Sequence, residues 1–160
     1  MQRSPPHAKI AVTPRLSRVH DPSCYRHQYP CFRPFAAFGI AAQVFVLALG
    51  GSIQLSVSGE VYAEYEEVIS RPRLQRDHET IESTLRAIRE QAFWVKATET
   101  VRACSDPDDD IFLECAQASQ AAYIVTGNLK HFPEAWEGTR IVTARRLLQV
   151  IQAKAQKASE

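Results

Sequence analysis

Alternating apolar strands and helical stripes over residues 35–155 predict an α/β domain, a three-layer α/β/α arrangement around a central, mostly parallel sheet. Three observations support this. Ser52–Val57 alternates like a strand, and Ala122–Thr126 is a continuous apolar run of the kind a covered parallel strand needs. Helical stripes separate the strands, as parallel crossovers require. Upstream, residues 1–34 belong to a different kind of sequence. They carry Arg3, Lys9, Arg15, Arg18, Arg26 and Arg33 against Asp21 alone, with Pro5, Pro6, Pro14, Pro22, Pro30 and Pro34 and no sustained period. This stretch reads as an irregular Pro/Arg-rich leader, with Ile10–Thr13 the sole candidate strand.

At 160 residues the chain fits one domain with a sizeable core. A net charge of +1 gives no global pull toward nucleic acid or a membrane. The four cysteines, Cys24, Cys31, Cys104 and Cys115, are too sparse for a secreted disulfide scaffold and imply reduced thiols in a cytoplasm. His20, Cys24, His27 and Cys31 lack the pair-and-pair spacing of a zinc site. Phe35–Leu49 is too short to span a bilayer, contains Gln43 and has no cleavage pattern, so it reads as a buried helix and no membrane partner is expected.

Gly50-Gly51 ends that helix and leads into strand 52–57. Ser58 caps a helix to about Ile69, with Glu60 in its first turn, and Asp77 caps the next, whose Ile81, Leu85, Ile88 and Ala92 form one stripe. Phe93–Ala97 reads as a strand. The run Asp106-Pro107-Asp108-Asp109-Asp110 then opens a helix over 107–120. Gly127-Asn128 turns the chain after strand 122–126, Arg140–Thr143 is the last strand, and Thr143 caps a closing helix of Leu147, Leu148, Val150 and Ile151.

The acidic run has a plain structural reading: Asp106 suits the N-cap, Pro107 the first helical position, and Asp108 and Asp109 the positive end of the macrodipole. That accounts for only part of its charge, and the excess points to a divalent cation held by carboxylate oxygens. In such sheets ligands bind beyond the carboxyl ends of the strands. Glu64, the run Asp106–Asp110, and Gly127-Asn128 each follow a strand and so share that edge. Taken alone, Glu64 is one of several glutamates on a charged helix face and Asn128 a turn residue. Lys130, His131, Arg145 and Arg146 are basic groups able to reach a phosphate, and Cys104 and Cys115 read as buried thiols.

Ser105-Asp-Pro-Asp-Asp-Asp-Ile-Phe-Leu-Glu-Cys-Ala, then Ala122-Tyr-Ile-Val-Thr-Gly-Asn-Leu-Lys-His-Phe-Pro, then Thr139-Arg-Ile-Val-Thr-Ala-Arg closely resemble the PIN-domain family. Within it they resemble the branch described as toxin components of bacterial toxin–antitoxin systems. Ser58–Leu74 resembles that branch's second block, and the resemblance covers about residues 36–150. It implies a cytoplasmic, metal-dependent ribonuclease that uses Mg²⁺ or Mn²⁺ for endonucleolytic hydrolysis of an RNA phosphodiester. RNA would be the substrate and a cognate antitoxin protein the partner; homodimerisation is compatible with it. By motif, Glu64, Asp106 and Asp109 correspond to metal-binding acids and Asn128 to the last polar position of the catalytic set, a neutral oxygen where Asp is common.

One departure stands out. The family's first, central strand ends in an Asp that supplies the first metal ligand, and this chain has no apolar strand ending in Asp there. The leader is expected to replace that strand and to pack poorly, as a shifted reading frame, a wrong start or a degenerate gene would produce. A well-packed central strand from this region would count against that account. Loss of the aspartate implies impaired activity unless Asp21 enters the site, and its alternative is a catalytically inactive module that binds an antitoxin or RNA. Without a cation, the clustered acids should raise one another's pKa, at Glu64, Asp106 or Asp109.

Overall fold

A computed structural model describes residues 9–14, 40–72 and 75–158. Among these residues the six strands are β1 (Ile10–Pro14), β2 (Ile53–Val57), β3 (Phe93–Trp94), β4 (Tyr123–Val125), β5 (Ala135–Trp136) and β6 (Thr139–Val142), in one sheet ordered β3-β2-β1-β4-β6-β5. Among the described residues, five α-helices accompany them: α1 (Ile40–Leu49), α2 (Gly59–Ile69), α3 (His78–Gln91), α4 (Asp110–Ser119) and α5 (Ala144–Ala158). On one side of the sheet α1 packs on β2 and on α5. On the other, α4 covers β1, β2 and β4 and carries α2 against it, completing the α/β/α layering.

Strand directions explain how a mostly parallel sheet accommodates this chain. β2 and β3 are parallel, β4 and β6 are parallel, and β1 is antiparallel to both β2 and β4, so β2, β3, β4 and β6 all point one way. The reversed strands are β1, in the centre, and β5, at an edge. Ile10, Ala11 and Val12 are no more than 2 % exposed and join Leu55, Val57, Val61, Phe112, Leu113 and Ile124 in the core. Their register pairs Ala11 with Ser56 and Ile124, and Val12 with Leu55 and Tyr123.

The leader is therefore not irregular throughout. Its one β-branched run fills the slot between β2 and β4, because those two strands otherwise leave facing rows of backbone groups unpaired. A packed central strand here counts against the reading-frame account, while its reversed direction leaves the missing acidic strand end as it was. Residues 1–8 and 15–39, including Asp21 and the His20–Cys31 set, lie outside the described residues.

Local signals act largely as expected. The Ser58 hydroxyl accepts from Val61 N, Asp77 from Thr80 N, and Thr143 from Arg146 N. Leu85 and Ile88 bury the stripe of α3, while Ile81 and Ala92 are partly covered. Three details differ. β3 is shorter than the Phe93–Ala97 expected, because it lies at a sheet edge with Phe93 and Trp94 nearly half exposed. The acidic run first makes a 3₁₀ turn over Pro107–Asp109, and α4 proper begins at Asp110. A hairpin joins β5 to β6 through Glu137 (φ 44°) and Gly138 (φ 86°), a pair of left-handed residues suited to a two-residue turn. Among the described residues no helix is long and apolar enough to cross a membrane.

If β1 holds the centre, Ile10→Ala leaves a cavity and lowers stability by about 2–5 kcal/mol in urea unfolding. A change below about 0.5 kcal/mol, the size of an ordinary surface substitution, would remove β1 from the core.

Candidate metal and nuclease site

The site forms where β2 and β4 end. After β4, Thr126 accepts from the Asn128 backbone N–H, and a 3₁₀ turn over Leu129–His131 follows. His131 N donates to the Asn128 carbonyl at 3.3 Å, and the His131 carbonyl accepts from Ser105 N at 2.9 Å. The post-β4 loop is thereby tied to the segment leading into α4, which brings the imidazole of His131 to the acidic run.

The acids of that run divide their work. Asp106 accepts from Asp108 N at 3.2 Å, acting as the cap. Buried Asp110 accepts from Ala103 N at 3.0 Å and Cys104 N at 2.8 Å, and so pins the approach to α4. Asp108 is exposed. Asp109 is different: its side chain is 1 % exposed, and its hydrogen-bond partners are basic side chains rather than backbone. Oδ2 lies 2.9 Å from His131 Nδ1 and Oδ1 pairs with the Lys9 ammonium. His131 Nδ1 is also 3.8 Å from Asp106 Oδ2. One ligand atom from each of Asp106, Asp109 and His131 lies within 4.8 Å of the others, a donor set able to hold a divalent cation.

Lys9 reaches this point because β1 is reversed. Ile10 pairs with Val125, the last residue of β4, so the preceding residue stands at the edge where the parallel strands end. The Tyr65 hydroxyl donates to the Lys9 carbonyl at 2.9 Å, and the ammonium stands 5.8 Å from the centre of the Phe112 ring. An isolated buried carboxylate is costly, and Lys9 and His131 together offset that cost for Asp109.

Glu64, on α2, is half-buried, and its pKa is raised. Burial is the leading cause and Glu67 the next; Arg71 and Lys9 oppose them, and Asp108 adds a small upward push. The expected upward shift among the acids thus occurs at Glu64, but desolvation rather than mutual repulsion dominates it. Asn128 is half-buried with φ −125°, not left-handed, and its backbone N–H and carbonyl are both hydrogen-bonded. The structure therefore joins Asp106 and Asp109 through His131, and sets Glu64 within the electrostatic reach of Lys9 and Asp108. Cys104 and Cys115 are pushed up to about 12, mainly by burial; for Cys104 the Asp110 carboxylate adds to it.

A family model described as PIN domain matches residues 32–130. The chain belongs to the PIN-domain family. No curated protein and no solved structure gives a significant match. PIN domains are generally nucleases and typically depend on divalent metal ions. Glu64, Asp106, Asp109 and Asn128 fall inside the matched segment, whereas Lys9 and His131, the two basic partners of Asp109, fall outside it. Sequence reasoning missed both as partners of an acid. The available signals were Lys9 standing directly before the one candidate strand and His131 lying three residues beyond Asn128 in the strand-end loop.

Two outcomes follow. Because its folded pKa is raised, Glu64 favours the fold below the ordinary carboxyl range and opposes it as pH rises through the raised value. Metal-free Glu64→Gln should accordingly unfold at a higher temperature than the parent at pH 7, the difference vanishing at pH 3. Cys104 and Cys115, protonated well above neutrality, should resist iodoacetamide at pH 8 in the folded protein and react once urea unfolds it, as peptide mass spectrometry would show.

Proposed function

We propose that this PIN domain is a metal-dependent endoribonuclease of the toxin–antitoxin type, with Mg²⁺ or Mn²⁺ as cofactor, and that its activity is impaired in the present chain. The observation that carries the reading is Asp109: a carboxylate buried at the strand-end edge, with Asp106 beside it and the Lys9 ammonium and the His131 imidazole for side-chain partners. A structural helix cap does not require that arrangement, and Asp106 already serves as one. The two carboxylates suit Mg²⁺ or Mn²⁺, and His131 adds one imidazole nitrogen to the donor set.

Asp106 and Asp109 would hold the ion, with His131 as a third donor, and Glu64 would complete the acidic wall. Bound there, the ion would supply positive charge against the phosphodiester and lower the pKa of a water. Glu64, whose proton affinity burial raises, is a better proton acceptor than an ordinary surface glutamate. Asn128 contributes a neutral polar group, able to orient water without adding charge. Lys130, exposed beside His131, is available to an RNA phosphate. A cognate antitoxin protein is the expected regulatory partner, and the cytoplasm the expected compartment.

One observation favours a second reading, a catalytically inactive module that binds antitoxin or RNA. At the edge where the family's first-strand aspartate is expected, this chain presents the Lys9 ammonium. The site then has one fewer anion and one more cation than the family pattern implies, which weakens its hold on a metal.

Incubation of a mixed RNA pool with and without Mn²⁺ separates the two. The chain as it stands should cleave slowly or not at all. Replacing β1 by an apolar strand ending in Asp should restore Mn²⁺-dependent cleavage, and Asp109→Asn in that restored protein should lower it by about 100-fold or more, since even outer-shell changes at metal sites cost 10–100-fold. Efficient cleavage by the unmodified chain would show that the missing aspartate is dispensable.

A further inference from the structure

We propose that Lys9 is a tethered occupant of the metal site, an ammonium that competes with the divalent cation for Asp109 and must withdraw before that cation binds. This rests on the metal-site reading above and adds to it a device built from this chain's own leader.

Both oxygens of Asp109 are engaged, Oδ1 by Lys9 and Oδ2 by His131. His131 can rotate or stay as a donor to the same ion, because a neutral imidazole is itself a ligand. Lys9 has no such option. An ammonium carries three donors and no acceptor, so it cannot share a carboxylate oxygen with a cation without like-charge repulsion. Nor is its place accidental. The side chain is only 20 % exposed, its own carbonyl is held by the Tyr65 hydroxyl, and the next residue is locked into the β1–β4 register. Its charge reaches Glu64 as well, lowering a pKa that burial raises. One side chain thus acts on two of the acids assigned to the metal. The Lys9 backbone can stay in place while the flexible four-carbon stem swings out along its exposed side, so release need not unfold β1.

The test measures Mn²⁺ binding to the full-length protein by calorimetry for the parent, Lys9→Met and Lys9→Arg. If the site is open about a tenth of the time, removing the ammonium should tighten binding about tenfold, as expected when a closed state competes with the ligand. Lys9→Met should show that gain and Lys9→Arg should remain like the parent. Lys9→Met also leaves Asp109 with less compensation, so a second measurement uses the parent alone. Reductive methylation read by peptide mass spectrometry should modify Lys9 slowly in EDTA and several-fold faster in millimolar Mn²⁺, with exposed Lys96 and Lys154 as unchanging references. Equal Mn²⁺ affinity in all three proteins, or Lys9 labelling indifferent to Mn²⁺, would overturn the proposal and leave the metal site standing. Absence of Mn²⁺ binding in both the parent and Lys9→Met would overturn the metal reading, and this proposal with it.

Discussion

The structure depends on how the gap between β2 and β4 is filled. Neither strand bonds to the other, so the sheet is continuous only through β1, which bonds to both. A buried row of amides and carbonyls without partners costs far more than a reversal of direction, so five β-branched and small residues ending in Pro are enough to close the sheet. Antiparallel pairing is no weaker per residue than parallel pairing, which makes the reversal inexpensive. Its chemical effect is larger than its energetic one. A forward strand would place its last residue at the site edge; the reversed one places there the residue preceding its first, and in this chain that residue is a lysine.

Electrostatics at that edge follow from the exchange. Four aspartates in five positions look from composition like one cluster of repelling charges, yet the backbone absorbs two of them. Asp106 takes the cap and Asp110 takes the amides of Ala103 and Cys104. With Asp108 exposed, the remaining buried carboxylate is Asp109, which pairs with the Lys9 ammonium and is hydrogen-bonded to His131. The upward shift at Glu64 therefore comes chiefly from loss of water around it rather than from a crowd of anions.

Much of the fold could be read from the residues because the deciding signals were local. Ser58, Asp77 and Thr143 each announce a helix start through a side chain that accepts a nearby amide, and Tyr123–Val125 is apolar on both faces because both are covered. The β5–β6 hairpin was not legible, since its turn is Glu137-Gly138 rather than the Asn-Gly or Asp-Gly pair that usually marks two left-handed residues. Asp106 and Asp109 could be proposed from their motif, and Asp110 could be told from Asp109 only by where each carboxylate turns. Lys9 was illegible for a different reason. A strand's direction is set by tertiary pairing, and a short apolar run reads the same way up or down, so which of its ends meets the acids cannot be known from its composition.

The hydrogen bond from Ala122 N to Thr13 joins residues 109 positions apart, and the ion pair from Lys9 to Asp109 spans 100. β1 is thus made well before β4 and cannot complete its pairing until β4 has followed it. During synthesis its β2 side can pair early, as can β2 with β3, while its β4 side must wait for the distant partner. The centre of the sheet consequently closes only after β4 has been made, and β1 is then paired on both sides.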